Sequence, residues 1–186
     1  MAALKEWAVV CKALEEGRQI LLLRKGGIME YRQGFEVKHD KFLLFPTFEH
    51  QSKESIQMDY LDKLYNLLQN APTNGKNKMT SYAKVVEIKE VSDKSILQKL
   101  EKYHIWNDHY VNIRMNYNPK RPMSVVLLRV YKINNPIEVD IKPEWAGCKS
   151  WIPIEFPQLG INDDHQPVLD DSKFHQVVAK IKEALN

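Results

Sequence analysis

The chain has 186 residues, 44% hydrophobic and 27% charged, with a formal charge of +3, the composition of one folded domain with a substantial core, so residues 1–186 are read as a single domain. Its longest apolar runs, such as 20–23 and 125–128, fall far short of the roughly 18 residues a membrane helix needs, which argues against a span. The opening Met1-Ala2-Ala3-Leu4-Lys5-Glu6 is charged where a secretory leader would be apolar, and Cys11 and Cys148 form no Cys-x-x-Cys pair, so the expected compartment is a reducing cytoplasm, with both thiols as small buried hydrophobes.

Charge is unevenly spread. Residues 1–133 carry 22 Lys and Arg against 15 Asp and Glu, whereas residues 134–186 carry 5 against 9. Such asymmetry is a weak pointer to a polyanionic partner on the basic part, and solvated faces also produce it.

Leu4, Trp7, Cys11 and Leu14 recur at helical spacing, which predicts an amphipathic helix over 4–16 stopped by Gly17 as a C′ residue. The apolar run 20–24 follows as a buried strand, and Gly26-Gly27 turns the chain. Residues 30–41 lack a period and read as a loop or loose hairpin. Residues 42–45 read as a second buried strand ended by Pro46.

Ser52 or Ser55 is expected to cap a helix with the stripe Ile56, Tyr60, Leu64, Leu67 and Leu68. Residues 71–79 have turn chemistry and read as an exposed connection, followed by a β-branched strand over 80–91 and a short helix capped by Asp93. Residues 104–117 fit both period two and a helical period, with the balance toward helix or irregular structure. Asn118-Pro119-Lys120-Arg121-Pro122 is a rigid basic turn. A long strand over 123–133 is predicted to break at Asn134-Asn135-Pro136 and to pair as a hairpin with 137–141. Another strand is expected within 145–156, an acidic loop over 159–167, and a last amphipathic helix capped by Asp170 or Asp171 and docked on the sheet. With no glycine-rich phosphate loop between a strand and a helix, a doubly wound nucleotide fold is unsupported, and the pattern predicts a mixed α+β domain of about five or six strands.

Candidate sites lie at strand ends, where a rigid scaffold meets a free loop. Arg24 and Lys25 beside Gly26 and Gly27 could hold an anion, since glycine lets backbone N–H groups approach a phosphate. The plainer alternative is a turn with solvated cations. Thr47, His50 and Gln51 offer polar groups after Pro46, with His50 able to titrate near neutrality, read a polar edge or serve as a general base, or simply to cap a helix. Trp106, Asn107, Asp108, His109 and Tyr110 combine rings with hydrogen-bonding groups, as base stacking requires, although Trp106 suits a core equally well. Arg114 would meet phosphate and Tyr117 would stack.

His104, Asp108 and His109 make a poor metal set, because positions five apart share no helical face. No metal or cofactor is therefore expected. Glu36-Val37-Lys38, with Glu30 as a weak partner, has the acidic-x-lysine form of restriction-type nucleases but lacks the matching aspartate. Whether the chain is an enzyme stays open, with the balance toward none.

The segments Ala3-Leu4-Lys5-Glu6-Trp7-Ala8, QILLLRKGGI at 19–28, FLLFPTFEHQ at 42–51, His104-Ile105-Trp106-Asn107-Asp108 and VVLLRVY at 125–131 resemble a bacterial family known as domain of unknown function 1802, over nearly the whole chain. That resemblance implies a prokaryotic cytoplasmic protein, with a suggested association with restriction and modification systems. More distantly, Gly17, Arg18 and Arg24 are spaced similarly to the glycine, basic residue and arginine that open ASCH domains of the PUA superfamily. This second resemblance implies a mixed, largely antiparallel sheet curled into a PUA-like β-barrel with flanking helices, which binds RNA or DNA or a nucleotide ligand. The ASCH pattern favours an acidic residue two positions before the arginine, where this chain has Leu22, so no acid-dependent role is carried over. The remaining alternatives are a metal-dependent nuclease, a small hydrolase using His50, and an accessory domain whose last helix packs on a protein partner.

Overall fold

A computed structural model describes residues 1–25, 38–147, 149–155 and 166–186. Among them the sheet is built from β1 (Ala2–Trp7), β2 (Leu21–Arg24), β3 (Lys41–Thr47), β4 (Lys76–Val91), β5 (Met123–Asp140) and β6 (Trp151–Pro153). The helices are α1 (Ala8–Glu15), α2 (Leu61–Gln69), α3 (Lys94–Lys99), α4 (Asp108–Asn116) and α5 (Asp171–Ala184). Strand order is β2-β5-β4-β3-β1-β6. Only β1 and β3 run parallel; the other neighbours are antiparallel, so the α+β expectation of a mixed, largely antiparallel sheet holds.

Successive residues of a strand face opposite sides, and the sheet carries a core on each. Leu4, Phe42 and Leu44 join the buried residues of α1 and α5 in one cluster, to which the β2 leucines also belong. Ala3, Leu43, Phe45, Met79, Tyr82 and Trp145 fill the other. The long pair β4–β5 shifts register between Met79 and Ser81 and again between Val85 and Glu87, and such bulges bend and further twist a sheet. The curl brings its two ends together: Arg24, last residue of β2, donates from Nη2 to Ser150 Oγ at 2.6 Å, immediately before β6. Among the described residues no helix is long and apolar enough to cross a membrane.

The predicted helix over 4–16 is a strand in its first four residues, 4–7, and a helix from Ala8. Residues 2–7 have partners on both sides, β3 and β6, and this double pairing outweighs a helical spacing that rested there on Leu4 and Trp7 alone. The chain passes from β1 into α1 with no loop, and Gly17 does end the helix at φ +67°. Pro46 does not end β3, because β4 pairs only with Lys41–Leu43, while Pro46 pairs with Glu6 of β1.

Neither Ser52 nor Ser55 caps α2, which starts at Leu61 after two short 3-10 turns. Ser52 Oγ instead donates to Glu54. The expected connection over 71–79 is shorter, since β4 begins at Lys76 and Met79 is fully buried. Residues 134–136 do not break β5, and 137–141 form no hairpin with 123–133: both halves pair with successive parts of β4, whose length no local pattern announces. The strand sought in 145–156 is only Trp151–Pro153. Asp93, Asn107 and Asp170 cap α3, α4 and α5 by accepting from Ser95, Tyr110 and Lys173 backbone N–H groups, and 104–117 proves mainly helical. Phe174 and Ile181 of α5 are buried in the chain's own core, so that face of the last helix is already used.

Candidate nucleic-acid interface

The carboxyl ends of β1, β2 and β3 meet α4 and the segment before β6 around a cavity of about 280 Å³. β1 brings Lys5, Glu6 and Trp7; β2 brings Arg24; β3 and its following turn bring Thr47, Glu49 and His50; α4 brings Tyr110 and Arg114; the last wall holds Gly147, Lys149 and Ser150.

Lys5 is the clasp between two walls. Its buried Nζ donates to Glu49 Oε2 at 3.0 Å and to the carbonyls of Trp145 and Gly147 at 2.9 and 2.8 Å, which uses all three ammonium protons. The neighbouring Glu6 is a clasp of the opposite charge. Its Oε1 accepts the Trp7 backbone N–H at 2.8 Å and its Oε2 accepts Arg24 Nη1 at 2.9 Å. Buried charges persist only when paired and hydrogen-bonded, as these are.

Four cationic side chains and two carboxylates line the cavity, so its lining is net positive. Lys5 and Arg24 are matched to Glu49 and Glu6, and Arg114 and Lys149 are the further cations. Lys149, on the cavity lining, donates from Nζ to the Glu144 carbonyl at 2.6 Å.

The aromatic wall is layered. Trp7 meets Tyr110 edge to face at 5.9 Å, Tyr110 stacks on Trp106 at 5.0 Å with planes 11° apart, and the Arg114 guanidinium lies 6.0 Å from the Tyr110 ring centre. Burial pushes the Tyr110 hydroxyl up from its ordinary pKa, with the Arg114 charge opposing the shift; the hydroxyl therefore stays protonated near neutrality.

The sequence candidates divide accordingly. Arg24, Thr47, His50 and Arg114 converge on the cavity. His50 sits in the turn at φ +57°, a conformation that costs a non-glycine residue energy. Lys25, which follows Arg24, is buried and donates to the Met115 carbonyl at 2.7 Å; burial, then the Arg114 charge, lowers its pKa. Tyr117 lies beside Arg114 at 5.8 Å. Gln51 holds the start of α1 by accepting the Val9 N–H at 3.1 Å. Asn107 caps α4 and donates to the carbonyls of Glu54 and Ile56. Asp108 is exposed and accepts from Gln98. Trp106, 1% exposed, is core that backs Tyr110 and does not line the cavity.

Gly26, Gly27, Glu30, Glu36 and Cys148 lie outside the described residues; Lys38 is exposed, and Cys11 is buried as expected. His104 is buried while His109 is exposed, and among the described residues no group of three His, Cys, Asp or Glu could hold a metal ion.

Lys5, Glu6, Trp7, Glu49, Lys149 and Ser150 were not among the candidates. Reading 2–7 as a strand would have placed Lys5-Glu6-Trp7 at a strand end and exposed the first three. Nothing local signals Lys149 or Ser150, which arrive by the pairing of β6 with β1.

No curated protein matches the chain. Among solved structures, the crystal structure of a mutant of ZmASCH from Zymomonas mobilis is similar over 96% of this chain and 94% of its own, at 10% identity and a TM-score of 0.42. The model of the family described as "Domain of unknown function (DUF1802)" matches residues 3–180, and the chain belongs to that family.

Proposed function

We propose that the protein is a cytoplasmic binding module for nucleic acid or a nucleotide-like ligand, and not primarily a catalyst. One observation carries the reading: the same cavity has an aromatic wall, Trp7 and Tyr110, and an excess of cationic over anionic side chains, Arg114 and Lys149 among them. A nucleotide presents the complement, a flat base that stacks on rings and a phosphate that seeks guanidinium or ammonium. The volume, about 280 Å³, is at the small end for ligand sites and suits one unpaired unit rather than a duplex. The sequence resemblance to PUA-like RNA-binding domains points the same way, and a link to restriction and modification rests on family resemblance alone.

The test is titration of the full chain with adenosine monophosphate and with short single-stranded RNA and DNA at several salt concentrations, followed by calorimetry. Binding that weakens as salt rises is expected. Absence of binding to all three, or binding indifferent to salt, would remove the reading. A small hydrolase is the second reading, favoured by His50 on the cavity wall beside Thr47; turnover of a bound nucleotide that is lost in His50→Ala would establish it.

A further inference from the structure

β3 ends as a partition between two cavities. Leu44, Pro46 and Phe48 face a second hollow of about 230 Å³, whereas Thr47, Glu49 and His50 face the cavity described above. The same division occurs where β1 becomes α1, with Trp7 on the first cavity and Ala8 on the second. Alternation along β3 sends Leu44 and Pro46 to one side and Thr47 to the other, and the turn that follows places Phe48 on the second hollow and both Glu49 and His50 on the first cavity.

The second hollow differs in chemistry. Ala8, Cys11, Leu44, Pro46, Phe48, Leu67 and Pro72 supply apolar walls, Asn70, Thr80 and Ser81 supply hydrogen-bonding groups, and the exposed Lys78 stands at the edge. Burial pushes the Cys11 thiol well up from its ordinary pKa, with the Glu6 and Glu15 charges adding to it, so this wall is a neutral thiol. Lys12 is matched to Glu15 at 3.1 Å, and Asn77 is committed, donating to the Pro46 carbonyl at 2.6 Å and accepting the Lys78 N–H. An apolar hollow with a few polar groups is the usual form of a small-molecule site.

We infer that this hollow, bounded by α1, α2, the Pro46–Phe48 side of β3 and the start of β4, binds a small, mainly apolar molecule of the size of one or two rings, and that its occupancy is felt in the first cavity through the shared segment 46–50. The relay is short. A ligand against Pro46 and Phe48 fixes the backbone that also carries Thr47, Glu49 and the positive-φ His50, and Glu49 is the carboxylate held by Lys5. Restricting that segment before the first ligand arrives removes some of the ordering cost of its binding, which gives positive coupling. The effect on ligand affinity, though not the second site itself, rests on the reading of the first cavity as a nucleotide site.

The experiment titrates the isotopically labelled full chain with indole and follows backbone resonances. Saturable shifts at Ala8, Cys11, Leu44, Phe48 and Leu67 are expected, together with shifts at Thr47, Glu49 and His50. Both sets should vanish in Cys11→Phe, which fills the hollow from its floor, and in Leu67→Trp, which fills it from the half-exposed rim should the first variant fail to fold. With indole present, adenosine monophosphate should bind about fivefold more tightly, the low end of ordinary coupling. Absence of saturable shifts in the hollow, shifts that survive its filling, or occupancy that leaves residues 47–50 unmoved would overturn the inference. If indole behaves as expected and adenosine monophosphate binds neither with nor without it, the nucleotide reading falls while the second site and its relay stand.

Discussion

Arg24 joins the two edges of the sheet to Glu6: one nitrogen of its guanidinium reaches the Glu6 carboxylate at 2.9 Å and another reaches Ser150 at 2.6 Å. The pair is largely withdrawn from water, with side-chain exposures of 14% for Arg24 and 7% for Glu6. Removing one partner of such a pair leaves an uncompensated buried charge, which costs about 3–5 kcal/mol. Arg24→Met should therefore lower the unfolding free energy by about 3 kcal/mol in urea titrations. The double variant Arg24→Met, Glu6→Gln should lose clearly less than the sum of the singles, because no carboxylate is then stranded. Strict additivity would show that the two side chains do not act on one another.

The same pair shows what could be read from the sequence and what could not. Arg24 was legible because an apolar run ends on it, and a charge closing a buried strand marks a strand end. Glu6 was hidden because Leu4, Trp7, Cys11 and Leu14 mimic a helical stripe, and only pairing with β3 and β6, distant in sequence, decides that residues 2–7 are extended. β5 teaches the complement. Asn134-Asn135-Pro136 is a turn signal by composition, yet β5 runs through it and pairs with β4 on both sides, since cross-strand pairing outweighs local propensity. Caps read well at Asp93 and Asp170, where the chemistry is confined to a few neighbouring residues, whereas Asn107 caps α4 without having been read as a cap and neither Ser52 nor Ser55 caps α2. The two cavities read poorly because each is assembled from elements far apart in the chain.

His104 makes stability depend on acid. It is 4% exposed, packed at 5.6 Å from Trp106, and burial lowers its pKa to about 4 from 6.5. The unfolded chain takes up a proton below about pH 6.5 while the folded chain resists until about pH 4, so folding weakens as pH falls through that window. Lowering the pKa from 6.5 to about 4 is worth up to roughly 3 kcal/mol. His104→Phe keeps a ring in the core and removes the proton, so its loss of stability between pH 6.5 and 4 should be smaller than that of the natural chain by about that amount. Parallel pH profiles for the two proteins would contradict the assignment.

Lys149 and Arg114 are the cations on which binding of a phosphate at the first cavity should depend. Each phosphate contact with a single strand contributes about 0.7 to the slope of log affinity against log salt. Lys149→Ala lies on the rim and should leave folding intact, weaken binding of single-stranded RNA, and reduce that slope by about 0.7. Arg114→Ala should do the same and in addition disturb stacking, because its guanidinium lies over Tyr110. A Lys149→Ala protein with unchanged affinity and slope would place the phosphate elsewhere.

Gly17 and Gly75 separate two costs that usually arrive together. Both have positive φ, +67° and +72°, and both would be strained by a side chain. A Cβ at Gly75 would meet nothing within 4 Å, whereas one at Gly17 would lie 2.6 Å from Leu169 Cδ2 and 3.1 Å from Leu169 Cγ. Gly75→Ala should then cost only the left-handed conformation, about 1 kcal/mol. Gly17→Ala must in addition push Leu169, 8% exposed, out of its place between α1 and the start of α5, and overpacking of that kind costs about 1–3 kcal/mol more. Thermal unfolding should rank the natural chain, Gly75→Ala and Gly17→Ala in that order. Gly17→Ala combined with Leu169→Ala relieves the clash but opens a space, so it should not recover the stability of Gly75→Ala. Equal melting temperatures for the two single variants would mean that Leu169 yields without cost, and that the end of α1 is held by its carbonyl contacts rather than by the close approach of the last helix's leading segment.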